Sequence, residues 1–430
     1  MNHEASRALM ERAQQSLPGG ISSYARQVDL PISFASGAGS HVTDVDGNDY
    51  IDYLTAWGAI TLGHSDPDVN AAVSEVLADQ DLYGMGTTEL EVEVAELVTD
   101  RVPCAERLLF GVTGTEVVSS AIRLARGVTG RPKVVKFQGH YHGSHDSLVL
   151  NHASDAEDLG SKDPFTAGVL DAVLEETIVL PFNDPEAVEE AFAAHGDAIA
   201  AVILEPIAHN MGCVLPEDGF LDTLRAVTEE HDSLLIFDEI VSGFRHDPGG
   251  AQAIFDVTPD LATFGKSVAN GYPLSMLCGS AEYMERFQTT ADGDVAYGGT
   301  YNAHAGSLAA ARETIRRLED EDFYGQGAAM SEAIATALAD LIEDTGLAAQ
   351  VHHFGTVFLT YFTEAPIRRW ADVLAHDTET YQAYRRGMID RGVLMVPKDA
   401  RRNYLTASHT DADVEATIDA AAAVLPSLAD

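Results

Sequence analysis

Ser-Leu-Leu-Ile-Phe-Asp-Glu-Ile (Ser233–Ile240) and Ala-Thr-Phe-Gly-Lys-Ser-Val-Ala-Asn (Ala262–Asn270) are two stretches in which a short apolar run ends at a charged residue. Short apolar runs bounded by polar residues are typical of strands that are buried on both faces of a parallel sheet. Ligands of such sheets bind beyond the carboxyl ends of the strands, which is where Asp238 and Lys266 follow these runs. The sequence therefore predicts that this acid and this lysine leave neighbouring strand ends.

An acid and a lysine in this arrangement suit pyridoxal phosphate, because the acid can pair with a pyridinium nitrogen and the lysine can form a Schiff base. The chain contains only five lysines, which are Lys133, Lys136, Lys162, Lys266 and Lys398. Among them only Lys266 follows an apolar run and a glycine, whereas we interpret Lys133 and Lys136 as residues of a solvated strand end. The alternative for Lys266 is a solvated loop lysine, which the scarcity of lysine disfavours.

Strand and helix patterns alternate from Glu106 onward, which predicts an α/β fold with a mostly parallel sheet flanked by helices. We expect a large domain over residues 65–302 and a smaller α+β domain over residues 303–430. We expect residues 1–64 to pack with the smaller domain. Within that segment, the turn signal Asp46-Gly47-Asn48 predicts a hairpin. Ser65 is the predicted cap of the helix that follows.

The charge of the chain limits the partners that it can have. The sequence contains 68 acidic and 26 basic residues, a formal net charge of −42, and 46% of its residues are hydrophobic. A folded protein with this charge repels nucleic acid and anionic membranes, so we expect neither as a partner. Scarce lysine with abundant acid indicates adaptation to a cytosol of high salt, in which counter-ions screen the repulsion. An ordinary acidic enzyme is the alternative.

The cysteines and the hydropathy pattern indicate the compartment. Cys104, Cys213 and Cys278 are odd in number and far apart, so they form neither a disulfide framework nor a zinc pattern. No apolar run reaches the length of a membrane span, and residues 1–16 do not have the pattern of a signal peptide. These features predict a cytoplasmic protein.

Three loops after predicted strands add polar groups. Gly111–Glu116 (Gly-Val-Thr-Gly-Thr-Glu) stands at a strand-to-helix junction that suits an anion, with an ordinary capped helix as the alternative. Gly139–Asp146 contains three histidines without a usual metal-ligand spacing, so we favour Tyr141 as an aromatic face for a pyridine ring instead of a metal site. Glu205 and Asn210 project into the same crevice, unless they are satisfied loop residues.

Further motifs are spread over nearly the whole chain. They are Pro-Gly-Gly (Pro18–Gly20) with Arg26, Asp-Val-Asp-Gly-Asn (Asp44–Asn48), Trp57-Gly58 with Leu-Gly-His (Leu62–His64), Thr-Glu-Leu-Glu-Val (Thr88–Val92), Ala-Ile-Arg-Leu-Ala-Arg (Ala121–Arg126), Glu-Pro (Glu205–Pro206) with Asn-Met-Gly (Asn210–Gly212), and Phe-Asp-Glu-Ile-Val-Ser-Gly-Phe-Arg (Phe237–Arg245). With these motifs the chain resembles the class III aminotransferases, which are pyridoxal-phosphate enzymes of fold type I. Within them it resembles glutamate-1-semialdehyde 2,1-aminomutase.

The resemblance implies roles for residues around the cofactor ring. Lys266 holds pyridoxal phosphate as a Schiff base and shuttles a proton, and Asp238 pairs with the ring nitrogen. Tyr141 stacks on one face of the ring and Ile240 packs on the other. Asn210 approaches the ring hydroxyl.

The resemblance also implies an obligate homodimer and further contacts. Gly114 and Thr115 bind the phosphate, and Thr300 reaches the phosphate in the partner subunit. Arg26 matches the position that holds the substrate carboxylate in the aminomutase, with a surface ion pair as the alternative. Trp57 forms an apolar wall beside it.

Four segments depart from the aminomutase pattern, and these are Gly111–Val117, Asn151–Ala167, Ser267–Leu274 and Gly299–Ala305. We therefore predict an aminotransferase that moves an amino group between an amine or amino acid and an oxo acid by ping-pong exchange. The 2,1-aminomutase is the alternative within the family. A non-catalytic binding or regulatory protein, a decarboxylase and a racemase also stay open.

Overall fold

A computed structural model describes residues 1–28, 30–320, 322–397 and 402–429 of the protein, and Lys398 lies outside these ranges. The strands are β1 (Phe34–Ala38), β2 (His41–Asp44), β3 (Asp49–Asp52), β4 (Arg107–Gly111), β5 (Lys133–Phe137), β6 (Thr177–Leu180), β7 (Ile199–Leu204), β8 (Leu234–Glu239), β9 (Leu261–Phe264), β10 (Ser275–Gly279), β11 (Gln350–Phe354), β12 (Val357–Tyr361), β13 (Val393–Leu394) and β14 (Asn403–Tyr404).

The α-helices are α1 (Glu4–Ala13), α2 (Thr55–Gly58), α3 (Pro67–Asp79), α4 (Glu89–Thr99), α5 (Gly114–Thr129), α6 (Asp171–Leu174), α7 (Pro185–His195), α8 (Phe220–Glu230), α9 (Gly250–Phe255), α10 (Ala281–Met284), α11 (Ala305–Asp320), α12 (Phe323–Thr345), α13 (Trp370–Val373), α14 (Thr378–Ile389) and α15 (Asp411–Val424). None of the helices within the described ranges is long and apolar enough to cross a membrane.

The largest sheet has seven strands within the described residues, in the order β4-β10-β9-β8-β7-β5-β6. Strands β5 to β9 pair in parallel, and β10 runs antiparallel to both of its neighbours. Alternate residues of β8 belong to two separate apolar clusters, with Leu235 and Phe237 in one and Leu234 and Ile236 in the other. The strand is thus covered by apolar side chains on both faces, as its sequence predicts.

The segments before and after this sheet share a second set of strands. Strands β1, β2, β3 and β13 form one sheet, in which β13 near the C-terminus pairs in parallel with β3 near the N-terminus. Strands β11, β12 and β14 form another sheet. A separate apolar cluster joins Tyr53 from the N-terminal part to Leu338 and Phe358 from the C-terminal part. The exact domain boundaries at residues 64/65 and 302/303 stay a prediction.

Two local expectations are wrong. Asp66, not Ser65, caps α3: the Asp66 carboxylate accepts hydrogen bonds from the amides of Asp68 and Val69. Ser65 instead has a left-handed φ of 50°. Lys136 is not at a solvated strand end, because its side chain is fully buried. Burial of a lysine depends on segments that cover it from elsewhere in the chain, which the local pattern around β5 does not contain.

Candidate active site

The carboxyl ends of β8 and β9 open into a cleft of about 340 Å³. The register pairs Asp238 with Thr263 and Glu239 with Phe264, so the two strands end side by side. Asp238 and Lys266 both line the cleft, which brings the acid and the lysine of the sequence analysis together. Six other predicted site residues also line it, five on loops or a helix end and one just beyond β8: Gly114, Thr115, Tyr141, Glu205, Asn210 and Ile240.

The backbone at Lys266 is held in an unusual conformation. Its φ is 44°, in the left-handed region that residues with a side chain rarely adopt. Such strain persists where the surrounding structure imposes it, and it concentrates at functional sites. Burial lowers the pKa of Lys266 to about 7, and the positive charges of Arg402 and Arg245 act in the same direction. About half of a lysine with this pKa is neutral at pH 7, so a nucleophilic amine is available near neutral pH.

Asp238 is oriented by three hydrogen bonds. His142 Nδ1 lies 2.7 Å from Asp238 Oδ2, and both side chains are buried. The Thr263 hydroxyl and the Ile240 amide donate to Asp238 Oδ1, each at 3.2 Å. Hydrogen bonds to both oxygens fix the orientation of the carboxylate at the edge of the cleft, where it could accept a hydrogen bond from a pyridine nitrogen. His142 is a residue of the site that our sequence reasoning did not select.

The first turn of α5 lies at one corner of the cleft, and its chemistry suits an anion. Thr113 caps this helix through the Glu116 amide, so the amides of Gly114 and Thr115 belong to the first turn, which has no intrahelical acceptors. A Cβ on Gly114 would lie 3.2 Å from Ile240 Cδ1, and a Cβ on Gly265 would meet the same atom at 3.2 Å. Both glycines therefore let Ile240 pack between the helix end and the lysine turn.

Glu205 acts on the backbone around the cleft. Its Oε1 accepts a hydrogen bond from the Tyr141 amide at 2.9 Å, and its Oε2 accepts one from the Asn210 amide at 3.0 Å. The Asn210 side-chain amide also donates to Glu205 Oε1, at 2.9 Å. Glu205 thus fixes Tyr141 and Asn210 relative to each other, a function that the sequence did not indicate.

Two buried arginines, Arg402 and Arg245, lie near Lys266. Arg402 donates to the His209 carbonyl at 2.6 Å and lies 3.4 Å from Asn210 Oδ1. Arg245 donates to the Ser267 hydroxyl at 2.8 Å and to the Gly58 carbonyl. Both guanidinium groups lie against the ring of Tyr404, at 4.7 Å for Arg245 and 5.1 Å for Arg402. Among the described residues, no carboxylate pairs with either arginine.

Three predicted residues lie outside the cleft lining of this single chain. Arg26 is exposed, at the end of a 3₁₀ turn (Tyr24–Arg26), and Thr300 is exposed as well. Trp57 is half-buried in α2, where the residues from Thr55 to Gly58 all have positive φ. The roles of these three residues stay predictions.

The residues of the cleft fit pyridoxal phosphate. A carboxylate with hydrogen-bond donors on both oxygens shares the cleft with a lysine of lowered pKa, and the first-turn amides of a helix suit a phosphate. Tyr141 and Ile240 offer flat and aliphatic surfaces for the two sides of a ring. Lys266 would hold the cofactor, Asp238 would face its ring nitrogen, and Gly114 with Thr115 would take its phosphate.

Comparisons of the sequence with known proteins agree with this chemistry. The family model described as "Aminotransferase class-III" matches residues 23–407. The glutamate-1-semialdehyde 2,1-aminomutase of Methanothermobacter thermautotrophicus is 40% identical over 424 residues, which cover 98% of this chain and 99% of the relative.

Solved structures give the same result. An omega-transaminase from Sphaerobacter thermophilus superposes with a TM-score of 0.92 at 33% identity, over 99% of this chain and 98% of that one. A glutamate-1-semialdehyde aminomutase from Pseudomonas aeruginosa PAO1, in complex with PMP, superposes with a TM-score of 0.89 at 26% identity, over 99% and 95% of the two chains.

The geometry predicts how Lys266 behaves. In the protein stripped of cofactor, covalent capture of pyridoxal phosphate should become faster as the pH rises through about 7, because the neutral amine is the nucleophile. Borohydride treatment followed by peptide mass spectrometry should locate the cofactor on Lys266. Lys266→Ala should bind the cofactor only reversibly and lose turnover. Near-wild-type turnover of this variant, or a label on another lysine, would contradict the assignment.

Proposed function

The chain belongs to the class III aminotransferases, which are enzymes that depend on pyridoxal phosphate, and we propose that it transfers an amino group between a carboxylate-bearing amine and an oxo acid. The predictions of fold type I and of this cofactor are confirmed by the family and by its solved structures. The proposed reaction is an exchange in which the amino donor leaves as an oxo compound before the acceptor enters.

The chemistry is divided between the cofactor and the chain. Pyridoxal phosphate supplies an aldehyde that takes up the amino group and a ring that withdraws electrons. Lys266 Nζ, whose pKa is lowered, would accept and return the proton at the substrate carbon. Asp238, oriented by His142, would accept a hydrogen bond from the protonated ring nitrogen. Tyr141 and Ile240 would cover the two sides of the ring and exclude water from it.

The proposal that the exchanged substrates carry a carboxylate rests on the surroundings of Arg402. Arg402 is buried, it has no carboxylate partner among the described residues, and its Nε has no hydrogen-bond acceptor there. A buried guanidinium in this condition can hold a substrate carboxylate with two parallel hydrogen bonds. Arg402 lies beside Asn210 at the cleft, and its positive charge lowers the pKa of Lys266. An arginine at this position can bind the carboxylate of the amino donor and, later, that of the oxo-acid acceptor.

The second candidate is the aminomutase, and it is favoured by the 40% identity with a relative of that name. An aminomutase of this name moves an amino group between carbons 2 and 1 of one molecule. The resemblance assigns the carboxylate of that substrate to Arg26, which is exposed here, whereas Arg402 offers a buried anchor. The segments Gly111–Val117 and Gly299–Ala305 depart from the aminomutase sequence pattern, which also favours the aminotransferase.

The decisive experiment presents the wild-type enzyme with both kinds of substrate. We expect amino acids to convert the bound cofactor to its amino form in single-turnover spectra, and oxo acids to restore it. We expect glutamate-1-semialdehyde to be isomerised at least about a hundred-fold more slowly, as kcat/KM, than the best donor–acceptor pair reacts, a preference of about 3 kcal/mol. The reverse preference would establish the aminomutase instead.

Arg402 and Arg26 can be distinguished with matched donors, one with a carboxylate and one without it. Arg402→Met should raise KM for the carboxylated donor about 10- to 100-fold, because charge-assisted hydrogen bonds are lost. KM for the simple amine should stay nearly unchanged. Arg402→Lys should rescue only part of this loss, since an ammonium lacks the planar fork. Arg26→Ala is the matched comparison. A selective loss in Arg26→Ala alone would move the anchor to Arg26.

We further propose that the enzyme works as a cytoplasmic homodimer adapted to high salt. The formal charge of −42 on each chain opposes association until counter-ions screen it. A dimer would also give Thr300, which is exposed in the single chain, a route to the phosphate of the partner subunit.

Salt should therefore shift assembly and activity together. We expect light scattering to show a rise from monomer to dimer as potassium chloride increases from about one-tenth molar to molar, where the Debye length falls from about 10 Å to about 3 Å. Turnover should rise over the same range. Equal dimer content and turnover in dilute buffer would refute the adaptation to salt and leave the cofactor assignment intact.

A further inference from the structure

The peptide group that joins His140 to Tyr141 lies between two buried charges of opposite sign. On one side, Lys136 Nζ donates to the His140 carbonyl at 3.1 Å. On the other side, the Tyr141 amide donates to Glu205 Oε1 at 2.9 Å. Lys136 is 0% exposed and Glu205 is 3% exposed, so solvent does not screen either contact. We call these two side chains and the peptide group between them the charge clamp.

The signs of the two charges match the polarity of the peptide group. A peptide carries partial negative charge on its oxygen and partial positive charge on its amide hydrogen. The ammonium of Lys136 faces the oxygen and the carboxylate of Glu205 faces the amide. A peptide flipped by half a turn would point its oxygen at Glu205 and its amide at Lys136, so both contacts would become repulsive. In a low-dielectric interior this difference is large, and one orientation is selected.

Burial of the Lys136 ammonium lowers the stability of the folded chain. Transfer of an ammonium from water to the interior is unfavourable unless hydrogen bonds replace its hydration. Within the described residues, Lys136 makes no hydrogen bond with a carboxylate, and its Nζ donates to the carbonyls of His140, Leu148 and Leu150. Burial lowers the pKa of Lys136 to about 7, against the opposing influence of the Glu205 charge. An apolar side chain would fill the space without this cost but could not hold these carbonyls.

The residues that follow the clamped peptide make several contacts in the cleft. Tyr141 lines the cleft directly after it, and the next residue, His142, orients Asp238 at 2.7 Å. Ser144 then donates its amide to the Thr115 hydroxyl at 3.2 Å, at the helix end that is proposed to take the phosphate. The segment from residue 138 to 149 belongs to no helix or strand, so regular secondary structure does not fix it.

We propose that Lys136 and Glu205 are a pair of positioning residues that set the His140–Tyr141 peptide, and with it the ring of Tyr141 and the imidazole of His142, against the cofactor. Neither residue takes part in proton transfer in this proposal. The inference goes beyond the proposed reaction, since it holds equally for an exchange between two substrates and for an isomerisation.

A double-mutant cycle tests the charge clamp. Lys136→Met, Glu205→Gln and the double variant are compared with Lys133→Met, a control on the same strand whose ammonium pairs with Glu176 at the surface. The first readout is hydrogen exchange of the Tyr141 amide, resolved by fragmentation mass spectrometry. Lys136→Met touches only the carbonyl side of the peptide, yet we expect the Tyr141 amide to exchange about tenfold faster or more.

The second readout is the affinity for pyridoxal phosphate, measured by its fluorescence without any substrate. We expect each single variant to weaken affinity about tenfold and the double variant to weaken it clearly less than the hundredfold product, because both residues act on one peptide group. In turnover, kcat should fall while KM for the donor stays within about twofold, since a positioning residue does not touch the donor. Lys133→Met should match the wild type in every readout.

Several results would overturn the charge clamp. Additive losses in the cycle would mean that the two residues act separately. An unchanged Tyr141 exchange rate in Lys136→Met would mean that the carbonyl contact does not set the peptide. If Lys136→Met fails to fold, Lys136→Gln retains an amide donor for the same measurements. Failure of both variants to fold would assign Lys136 to the stability of the whole chain instead. None of these outcomes depends on which substrate the enzyme uses.

Discussion

The parallel pairing of β8 with β9 is the constraint on which the active site depends. Its register sets Asp238 opposite Thr263, so that the acid at the end of one strand and the lysine just after the next reach the same edge of the sheet. Burial on both faces leaves the two strands little freedom to slip, because a shift of one residue would turn apolar side chains toward the wrong cluster. The strained turn at Lys266 and the glycine that precedes it then complete the placement.

Local patterns in the sequence were sufficient for the parts of the site that are built from contiguous residues. The apolar run into Asp238, the Gly-Lys pair and the helix junction at Gly114 each carry their signal within a few residues. His142 and Arg402 contact segments far apart in the chain, whereas the buried Lys136 donates to carbonyls of the loop that follows its own strand, and no local pattern predicts these contacts. His142, for example, meets a carboxylate 96 positions away. The signal that was present, a histidine two residues from His140 after a strand, suggested a metal site, which its spacing disfavours.

The distribution of positive charge differs sharply between the surface and the interior. The chain has 26 basic residues against 68 acidic ones, yet Lys136, Arg245 and Arg402 are buried around the cleft and Lys266 lines it. An anionic cofactor must approach a protein whose overall field repels it, and so must a substrate that carries a carboxylate, as proposed above. Cations that stand behind low-dielectric walls keep most of their attraction at short range, while mobile ions screen the surface field beyond about 10 Å. Buried arginines can therefore attract an anionic group at short range although the surface field repels it.

The position of the carboxylate anchor is what separates the two reactions that this machinery can perform. In the roles proposed for them, Lys266 and Asp238 would act on whichever carbon is presented, so they would serve an exchange and an isomerisation alike. An isomerisation requires one molecule to present two neighbouring carbons in turn, and its anchor must allow that movement. Arg402 is held by the His209 carbonyl and lies against Tyr404, which leaves its guanidinium little freedom. If Arg402 is the anchor, as proposed above, it would present the same carbon of every substrate to Lys266. Amino-group exchange between two different molecules requires only that one carbon of each substrate is presented. The buried position of Arg402 therefore favours the aminotransferase over the aminomutase.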